Sequence, residues 1–338
     1  MKNRRFLIAF LALISMVTLQ VDAQRQFCML TYNCENAFDT IDSPHHNDEE
    51  FLPDGSRHWT RWRYNRKLKH IAQVVLAANT DNPVDIVCLQ EVEGDSVCHH
   101  LTHNTMLSRI GYKYLCSNKA DRRGVGVTFL YYPMTFQLLS HDAIFLKKDV
   151  EEENDTVAVR EILHVTGLVH NCDTIDVYCV HLPSQLGGST GYSNRVSLLN
   201  ILSQHIDSVA SIRQNPNIII AGDCNTTPSS SEMKQLLKQT RHPLRNMMSH
   251  RKGGSYKYQG AWSWLDQIIV SQSMLSNKNN LHVKESSVGE MKLSVLMEAD
   301  ETWGGQKPFR TFRGPSYIGG YSDHLPVVMN LIHKCQKP

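Results

Sequence analysis

The sequence predicts an α/β protein in which two packed sheets are covered by helices on their outer sides. Strand-like runs follow one another in the middle of the chain, which indicates antiparallel hairpins. Helical stretches separate the strand-like runs elsewhere, which indicates helices packed on sheets. The 338 residues, 41% of them hydrophobic, suffice for one large domain with a substantial core, and no repeat or flexible linker divides the chain.

Local patterns predict the individual elements. Short apolar or alternating runs bounded by turn residues predict strands at 27–32, 85–90, 124–132, 136–145, 161–169, 174–181, 217–221, 264–270 and 325–331. Apolar residues at helical spacing predict helices at 63–78 and 194–212. The mixed basic and aromatic stretch at 59–64 is interpreted as the start of the first helix rather than as a contact for nucleic acid.

Residues 1–23 have the pattern of a secretory signal peptide. Lys2, Arg4 and Arg5 precede an apolar run at 6–19 that is short for a membrane span, and a small residue, Ala23, follows it. We therefore expect one domain at 24–338 that is exported to the periplasm or the extracellular space, without stable membrane insertion.

The charge balance gives no argument for a nucleic-acid partner. Residues 1–23 carry three basic residues and one acidic residue, so the remaining chain has 32 of each and a net charge near zero. Such a chain lacks long-range attraction to nucleic acid, although a local basic groove would suffice for binding.

The nine cysteines predict mostly buried thiols. Cys28, Cys88, Cys179 and Cys224 lie in apolar, strand-like runs, and no cysteine and histidine spacing indicates a zinc site. Cys172 and Cys179 could form a disulfide, which the sequence leaves open.

Polar residues cluster where the predicted strands end. Asn33, Glu91 and His181 each follow a strand, and Asp223 and Asn225 follow another. Asp266 lies within a strand, and Asp323-His324 precedes the last one. Strand ends can bring distant residues into one cleft. The carboxylate and amide oxygens among these residues are the ligands that hard cations prefer, which favours metal-assisted chemistry on phosphate esters.

Six ordered motifs resemble the endonuclease/exonuclease/phosphatase superfamily, to which deoxyribonuclease I belongs. They are Thr31-Tyr-Asn-Cys-Glu-Asn-Ala-Phe-Asp39, Asp85-Ile-Val-Cys-Leu-Gln-Glu91, Val180-His-Leu-Pro-Ser184, Ala221-Gly-Asp-Cys-Asn225, Trp264-Leu-Asp-Gln-Ile-Ile-Val270 and Tyr321-Ser-Asp-His-Leu-Pro-Val327. A further segment, Asp121-Arg-Arg-Gly124, is similar to secreted bacterial members. The resemblance implies a four-layer α/β sandwich of two packed, mixed and mostly antiparallel sheets, with the site at one rim.

The resemblance also implies roles for the residues of the site. Glu91, Asn33 and Asp323 would form the site for Mg²⁺ or Mn²⁺. Asp223 would orient or deprotonate the attacking water, Asn225 would hold the phosphate or a second metal, and His181 would donate to a phosphoryl oxygen. His324 would bind the phosphate or act as acid or base, with Asp266 fixing its tautomer. The candidate substrate-binding residues are Asn36, Arg122, Ser184 and Arg195.

Two interpretations of the segment before the second predicted helix stay open. Residues 187–191, rich in glycine, could form a flexible loop from which Arg195 grips a phosphate. Alternatively, they form a surface loop that simply leads into the helix.

The leading hypothesis is an exported, metal-dependent endonuclease that hydrolyses phosphodiesters of nucleic acid as a monomer. The alternative with the same chemistry is a phosphatase, or a sphingomyelinase-like phosphodiesterase, that acts on lipid or small phosphate esters. An inactive binding module on the same fold is the third hypothesis, and the presence of all the expected polar groups argues against it.

Overall fold

Two large sheets pack face to face, and helices cover their outer faces, in the computed structural model. It describes residues 25–117, 121–146 and 160–334. The predicted signal segment, residues 1–23, lies outside these ranges.

The predicted strands and helices are present with shifted bounds, and the structure adds helices at Gly94–His103 and Ser231–Gln239, a strand at Lys113–Cys116 and further short strands, most of them near the C-terminus. The strands are β1 (Arg25–Ala37), β2 (Ile86–Glu93), β3 (Lys113–Cys116), β4 (Val125–Tyr131), β5 (Phe136–Ile144), β6 (Ile162–Val169), β7 (Asp173–His181), β8 (Asn217–Asp223), β9 (Leu244–Asn246), β10 (Tyr256–Tyr258), β11 (Ala261–Ser263), β12 (Asp266–Ser271), β13 (Leu281–Val283), β14 (Gly289–Glu290), β15 (Met297–Ala299), β16 (Gln306–Pro308), β17 (Phe312–Arg313), β18 (Ser316–Tyr317) and β19 (Val327–His333). The α-helices are α1 (Arg61–Ala77), α2 (Gly94–His103), α3 (Gly188–Ile212) and α4 (Ser231–Gln239). Short 3₁₀ helices lie at Glu49–Phe51, Met106–Arg109, Gln185–Gly187, Gln272–Leu275, Glu285–Ser287 and Ser294–Leu296.

Each large sheet contains one parallel strand pair among antiparallel neighbours. The first sheet has the order β13-β19-β1-β2-β4-β3, with β14 also paired to β19, and β1 and β2 run parallel. The second has the order β5-β6-β7-β8-β12-β9, and β7 and β8 run parallel. A parallel pair needs a crossover, and α1 and α3 lie in these two connections.

Three apolar layers hold the four layers of the sandwich together. Strand residues of alternate parity point to opposite faces, so Phe27 and Met29 of β1 pack between the sheets whereas Leu30 and Tyr32 pack under the helices. In the second sheet, Ile219 lies in the layer between the sheets. Side chains of α3 and α4 pack on the outer face of this sheet. The predicted four-layer α/β sandwich is therefore confirmed.

Several local predictions are refined or corrected. The first helix begins at Arg61, which agrees with the interpretation of residues 59–64 as its start. The glycine-rich segment 187–191 is not a flexible loop, because α3 already begins at Gly188. Cys179 is a free buried thiol, whereas Cys172 is disulfide-bonded, so these two residues do not pair with each other. Within the part of the chain that the structure describes, no helix is long and apolar enough to span a membrane.

The topology brings the strand ends that carry the predicted site to one edge of the sandwich. In the second sheet His181 lies beside Asp223, which in turn lies beside Asp266 on the next strand. The first sheet contributes the ends of β1 and β2 together with the segment that precedes β19. Because β1 packs across β8, and β2 across β7 and β8, the two sets of strand ends face each other.

Candidate active site

Glycine and left-handed backbone conformations shape the strand ends at the site. Glu91 has φ 59° at the position where the pairing of β2 with β4 shifts register, between Gln90 and Val92. Such a bulge redirects a side chain that regular alternation would aim elsewhere. Beside Asp223, a Cβ on Gly222 would lie 1.9 Å from the carbonyl oxygen of Val180, so only glycine fits there.

Asp266 and His324 form a buried hydrogen-bonded pair that joins the two sheets. His324 Nδ1 lies 2.6 Å from Oδ2 of Asp266, and the tautomer with a proton on Nδ1 makes the imidazole the donor. Burial opposes the protonation of His324, but the charge and hydrogen bond of Asp266, with the charges of Asp223 and Asp323, raise its pKa well above the ordinary value. These charges favour the protonated form of His324, whose Nε2 lies 4.0 Å from Oδ2 of Asp223.

The carboxylate of Asp223 lies at the centre of the cluster. It accepts hydrogen bonds from Nδ2 of Asn33 at 3.0 Å and from the backbone N–H of Asn225 at 2.8 Å. Burial raises the pKa of Asp223 to about 6, the nearby charge of Asp266 acts in the same direction, and His324 opposes both. Asp223 is thus ionised at neutral pH and sufficiently basic to accept a proton.

His181 is a neutral imidazole that faces two carboxylates. Its Nε2 lies 3.7 Å from Oδ2 of Asp223 and 3.8 Å from Oε1 of Glu91. Burial lowers its pKa well below the ordinary value, and the positive charges of Arg160, Arg123 and His324 lower it further. We assign the single ring proton to Nε2, because this nitrogen faces the carboxylates, so His181 can donate a hydrogen bond into the cluster.

Arg123, rather than Arg122, reaches the cluster. The Arg123 guanidinium lies 2.9 Å from Asp121, 2.6 Å from Oδ1 of Asn36 and 3.5 Å from Glu91. Arg122 is exposed, and its backbone carbonyl oxygen accepts a hydrogen bond from the backbone N–H of Asn47 at 2.8 Å. Asn36 belongs to the cluster, because its backbone N–H donates to Oε2 of Glu91 at 2.9 Å. The geometry favours Arg123 as the arginine of the site, a choice that two adjacent arginines in a turn leave open in the sequence.

A second arginine, Arg310, holds the segment that carries Asp323. Its Nη2 donates to Oδ2 of Asp323 at 3.0 Å, and its Nε donates to Glu35 at 3.3 Å. Lys67 of α1 anchors the same segment by donating to Oγ1 of Thr311 at 2.6 Å and to the carbonyl oxygen of Tyr321 at 2.8 Å. Burial raises the pKa of Glu35 to about 7, with a further contribution from the charge of Asp323, while Lys67 and Arg310 oppose the shift.

Sequence reasoning missed Arg123, Arg160, Glu35 and Lys67. Arg160 donates to the carbonyl oxygen of Leu182 at 2.7 Å and lies 3.3 Å from Asp121, which ties it to the turn after His181. Signals for three of them were available, since Arg123 and Glu35 lie within the segments that resemble the family and Lys67 places a charge on a largely apolar helix face.

Arg195 and Ser184 lie beside the cluster as supports for the loop after His181. Arg195 is buried, donates from Nη1 to the carbonyl oxygen of Pro183 at 2.9 Å, and has Nε 3.5 Å from Glu232. Ser184 Oγ accepts a hydrogen bond from the backbone of Leu186 and caps the short 3₁₀ helix. These contacts favour structural roles for both residues.

The cluster offers oxygen ligands suited to a hard divalent cation. One ligand atom each of Asp223, Asp266 and His324 lie within 4.8 Å of one another. Asp266 is fully buried, and its carboxylate is hydrogen-bonded to His324. The Glu91 side chain is 15% exposed and lies at the rim, so water or substrate oxygens could complete the coordination of a cation bound there. Glu91 is therefore the carboxylate of the cluster that a cation could reach from the rim.

Comparison with known proteins gives one family and one fold. The model of the Endonuclease/Exonuclease/phosphatase family matches residues 28–333. No curated protein matches the chain at the sequence level.

The solved structures below are 16–18% identical in sequence, so the likeness concerns the fold. A Bacteroides thetaiotaomicron protein described as an endonuclease/exonuclease/phosphatase family protein is 16% identical, with a TM-score of 0.59 and coverage of 92% of this chain and 98% of that one. A mannosyl-6-phosphatase of Bacteroides thetaiotaomicron VPI-5482 is 18% identical, with a TM-score of 0.59 and coverage of 90% and 99%. The human Nocturnin catalytic domain with a bound sulfate anion is 17% identical, with a TM-score of 0.55 and coverage of 91% and 97%.

Replacing Lys67 with alanine should destabilise the protein far more than replacing Lys69, two residues along α1. Lys67→Ala removes two hydrogen bonds from a buried cation and leaves Glu35 less compensated, which should lower the free energy of unfolding by about 3 kcal/mol or more. Lys69 is exposed, so Lys69→Ala should change it by about 0.5 kcal/mol or less. Urea unfolding monitored by circular dichroism measures both, and equal stabilities would contradict the anchoring role.

Proposed function

The chain belongs to the Endonuclease/Exonuclease/phosphatase family, whose members are phosphoester hydrolases, and on that premise we propose that it is a divalent-metal-dependent nuclease that hydrolyses phosphodiester bonds of nucleic acid. The observation that carries the proposal is the set of separations between His181, Asp223, Glu91 and His324. Their polar atoms face one another across 3.7–4.0 Å, too far for direct hydrogen bonds. An attacking water can accept a hydrogen bond from the histidine on one side of such a gap and donate one to the carboxylate on the other, and a phosphoryl oxygen can accept from the histidine side.

Asp223 is the proposed base for the attacking water. Asn33 and Asn225 fix its carboxylate with hydrogen bonds, and burial keeps its pKa near the physiological range. These bonds orient the carboxylate before substrate arrives, so no reorganisation is required during the reaction.

His181 and His324 are the proposed donors to the phosphate. His181 donates from the neutral ring, whereas His324 donates from an imidazolium that the bond to Asp266 holds in place. A protonated His324 can stabilise the charge that develops on a phosphoryl oxygen or protonate the leaving oxygen.

A divalent cation fits the charge balance of the site. Enzymes of this family generally use divalent metals. Arg123, Arg160 and Arg310 each already lie against a carboxylate, so they leave little uncompensated positive charge for an incoming phosphate. When bound at Glu91, Mg²⁺ or Mn²⁺ would neutralise charge on the phosphoryl oxygens.

A phosphatase of small phosphate esters is the second candidate function. It is supported by the similarity of the fold to a mannosyl-6-phosphatase. A sphingomyelinase-like activity lacks a comparable observation. The assembly of the polar groups argues against an inactive binding module.

We also propose that the protein is exported and that it acts as a monomer. The pattern of residues 1–23 supports secretion to the periplasm or the extracellular space. Both statements are independent of the chemistry proposed for the cluster.

The purified protein should nick plasmid DNA in the presence of Mg²⁺ or Mn²⁺ and lose this activity when the cation is chelated. The test is a panel of plasmid DNA, RNA, mannose 6-phosphate, inositol phosphates and sphingomyelin. Glu91→Gln should lower kcat/KM by roughly 100-fold or more, because the cation loses its principal carboxylate. Glu49→Gln, at an exposed position, is the matched control and should retain activity. Turnover of mannose 6-phosphate without DNA cleavage would replace the nuclease with the phosphatase.

Arg123→Ala should lower kcat/KM by roughly 10- to 100-fold, whereas Arg122→Ala should change it less than about twofold. Arg123 holds Asn36 and approaches Glu91, so its loss frees the carboxylate that we assign to the cation. Steady-state kinetics on the same nucleic-acid substrate compare the two variants. Equal effects would contradict the assignment of Arg123.

A further inference from the structure

The hairpin of β10 and β11 extends from the catalytic pair. Tyr256, the first residue of β10, forms a β-bridge with His324, and the two ring centroids lie 4.8 Å apart at an angle of 39°. Burial raises the pKa of the Tyr256 hydroxyl, and the charge of Asp323 raises it further while that of Arg310 lowers it. The bridge and the ring contact therefore place Tyr256 next to His324, at the edge of the site.

Three anchors fix the orientation of this hairpin relative to the site. Ser255 accepts two hydrogen bonds. Its Oγ accepts one from the backbone N–H of Asp266 at 3.0 Å, and its backbone carbonyl oxygen accepts one from the backbone N–H of Leu325 at 2.7 Å. On the opposite face, Lys257 forms a buried ion pair with Asp300 at 2.8 Å and donates to the carbonyl oxygen of Gly304 at 2.8 Å. A surface anchored in this way requires little ordering when a ligand binds.

Two tyrosines lie on one face of the hairpin, and the first of them is the residue bridged to His324. Side chains alternate along a strand, so Tyr258 lies on the same face as Tyr256 and opposite Lys257, about 7 Å further from the site. Tyr258 is 63% exposed, so most of its surface is accessible to a ligand.

We propose that Tyr256 and Tyr258 form a stacking platform for the nucleobase next to the scissile phosphate. The inference rests on the proposed nuclease function and names its substrate as single-stranded or locally unpaired nucleic acid. Proteins hold single strands by stacking their bases on aromatic rings, because every base has a face that can stack.

The openness of the platform favours a base over a sugar. A sugar phosphate carries several hydroxyl groups that need polar partners on several sides, which an enclosed pocket supplies. Tyr258 instead presents an exposed ring, whose flat apolar face can stack on a base.

The test compares two oligonucleotides that differ only in their bases. One is a single-stranded oligothymidylate, and the other has the same backbone with base-free residues. The wild-type protein should cleave the oligothymidylate with a kcat/KM roughly 5- to 150-fold higher, the range expected for stacking of one base. Tyr258→Ala should abolish this difference, and Tyr258→Phe, which keeps the ring, should retain it. Trp62→Ala removes an aromatic residue of similar exposure, 62%, from α1 and should also retain the difference.

Three outcomes separate the platform from the chemistry. Equal cleavage of both oligomers by the wild type would overturn the platform while leaving the nuclease intact. Equal loss on both oligomers in Tyr258→Ala would also overturn it, since a purely structural role predicts that result. Hydrolysis of mannose 6-phosphate without cleavage of either oligomer would instead overturn the nuclease on which the platform rests.

Discussion

The hydrogen bond between Asp266 and His324 is the constraint on which the site depends, because it crosses from one sheet to the other. Asp266 begins β12 of the second sheet, and His324 lies just before β19 of the first. The bond from Asn33 to Asp223 crosses in the same way. Apolar residues hold the sheets together between these points, and polar side chains replace them at the rim. The layered packing therefore sets the distance across which the catalytic groups face each other.

Burial gives the opposed groups different protonation states. Asp223 and His181 are both buried, and burial disfavours the charged form of each, so the pKa of the acid rises and the pKa of the histidine falls. His324 is equally buried, but Asp266 outweighs the cost of burying its charge. The pKa values of the two buried histidines are thus shifted in opposite directions, and both rings face the carboxylate of Asp223. The same hairpin that carries the aromatic platform is anchored to Asp266, which links substrate recognition to this arrangement.

The sequence predicts the layers better than the details of the site. Alternating apolar residues report directly which faces of a strand are buried, so the order of sheets and helices follows from pattern. The strand-end positions of Asn33, Glu91, His181 and Asp223 follow from the same pattern. The choice between Arg122 and Arg123 cannot be made from this pattern, because it depends on the conformation of the turn that contains them. The roles of Glu35 and Lys67 depend on contacts with Arg310 and Thr311, more than 240 residues away, which no local pattern reports. The sequence around Arg195 suggests a phosphate-binding arginine, but in the structure Arg195 donates to the carbonyl oxygen of Pro183 and supports the loop after His181.

The protonation state of His324 is the most direct test of this account. Nitrogen-15 chemical shifts of the imidazole, followed from about pH 5 to 9 in the metal-free protein, report it without reference to any substrate. The wild-type protein should keep His324 protonated well above the ordinary histidine pKa of about 6.5. In the Asp266→Asn variant, burial still disfavours the charged form of His324, but the carboxylate that compensates for it is lost. The pKa of His324 should therefore fall below 6.5. A pKa near 6.5 in the wild type, or one that Asp266→Asn leaves unchanged, would contradict the central role of the pair.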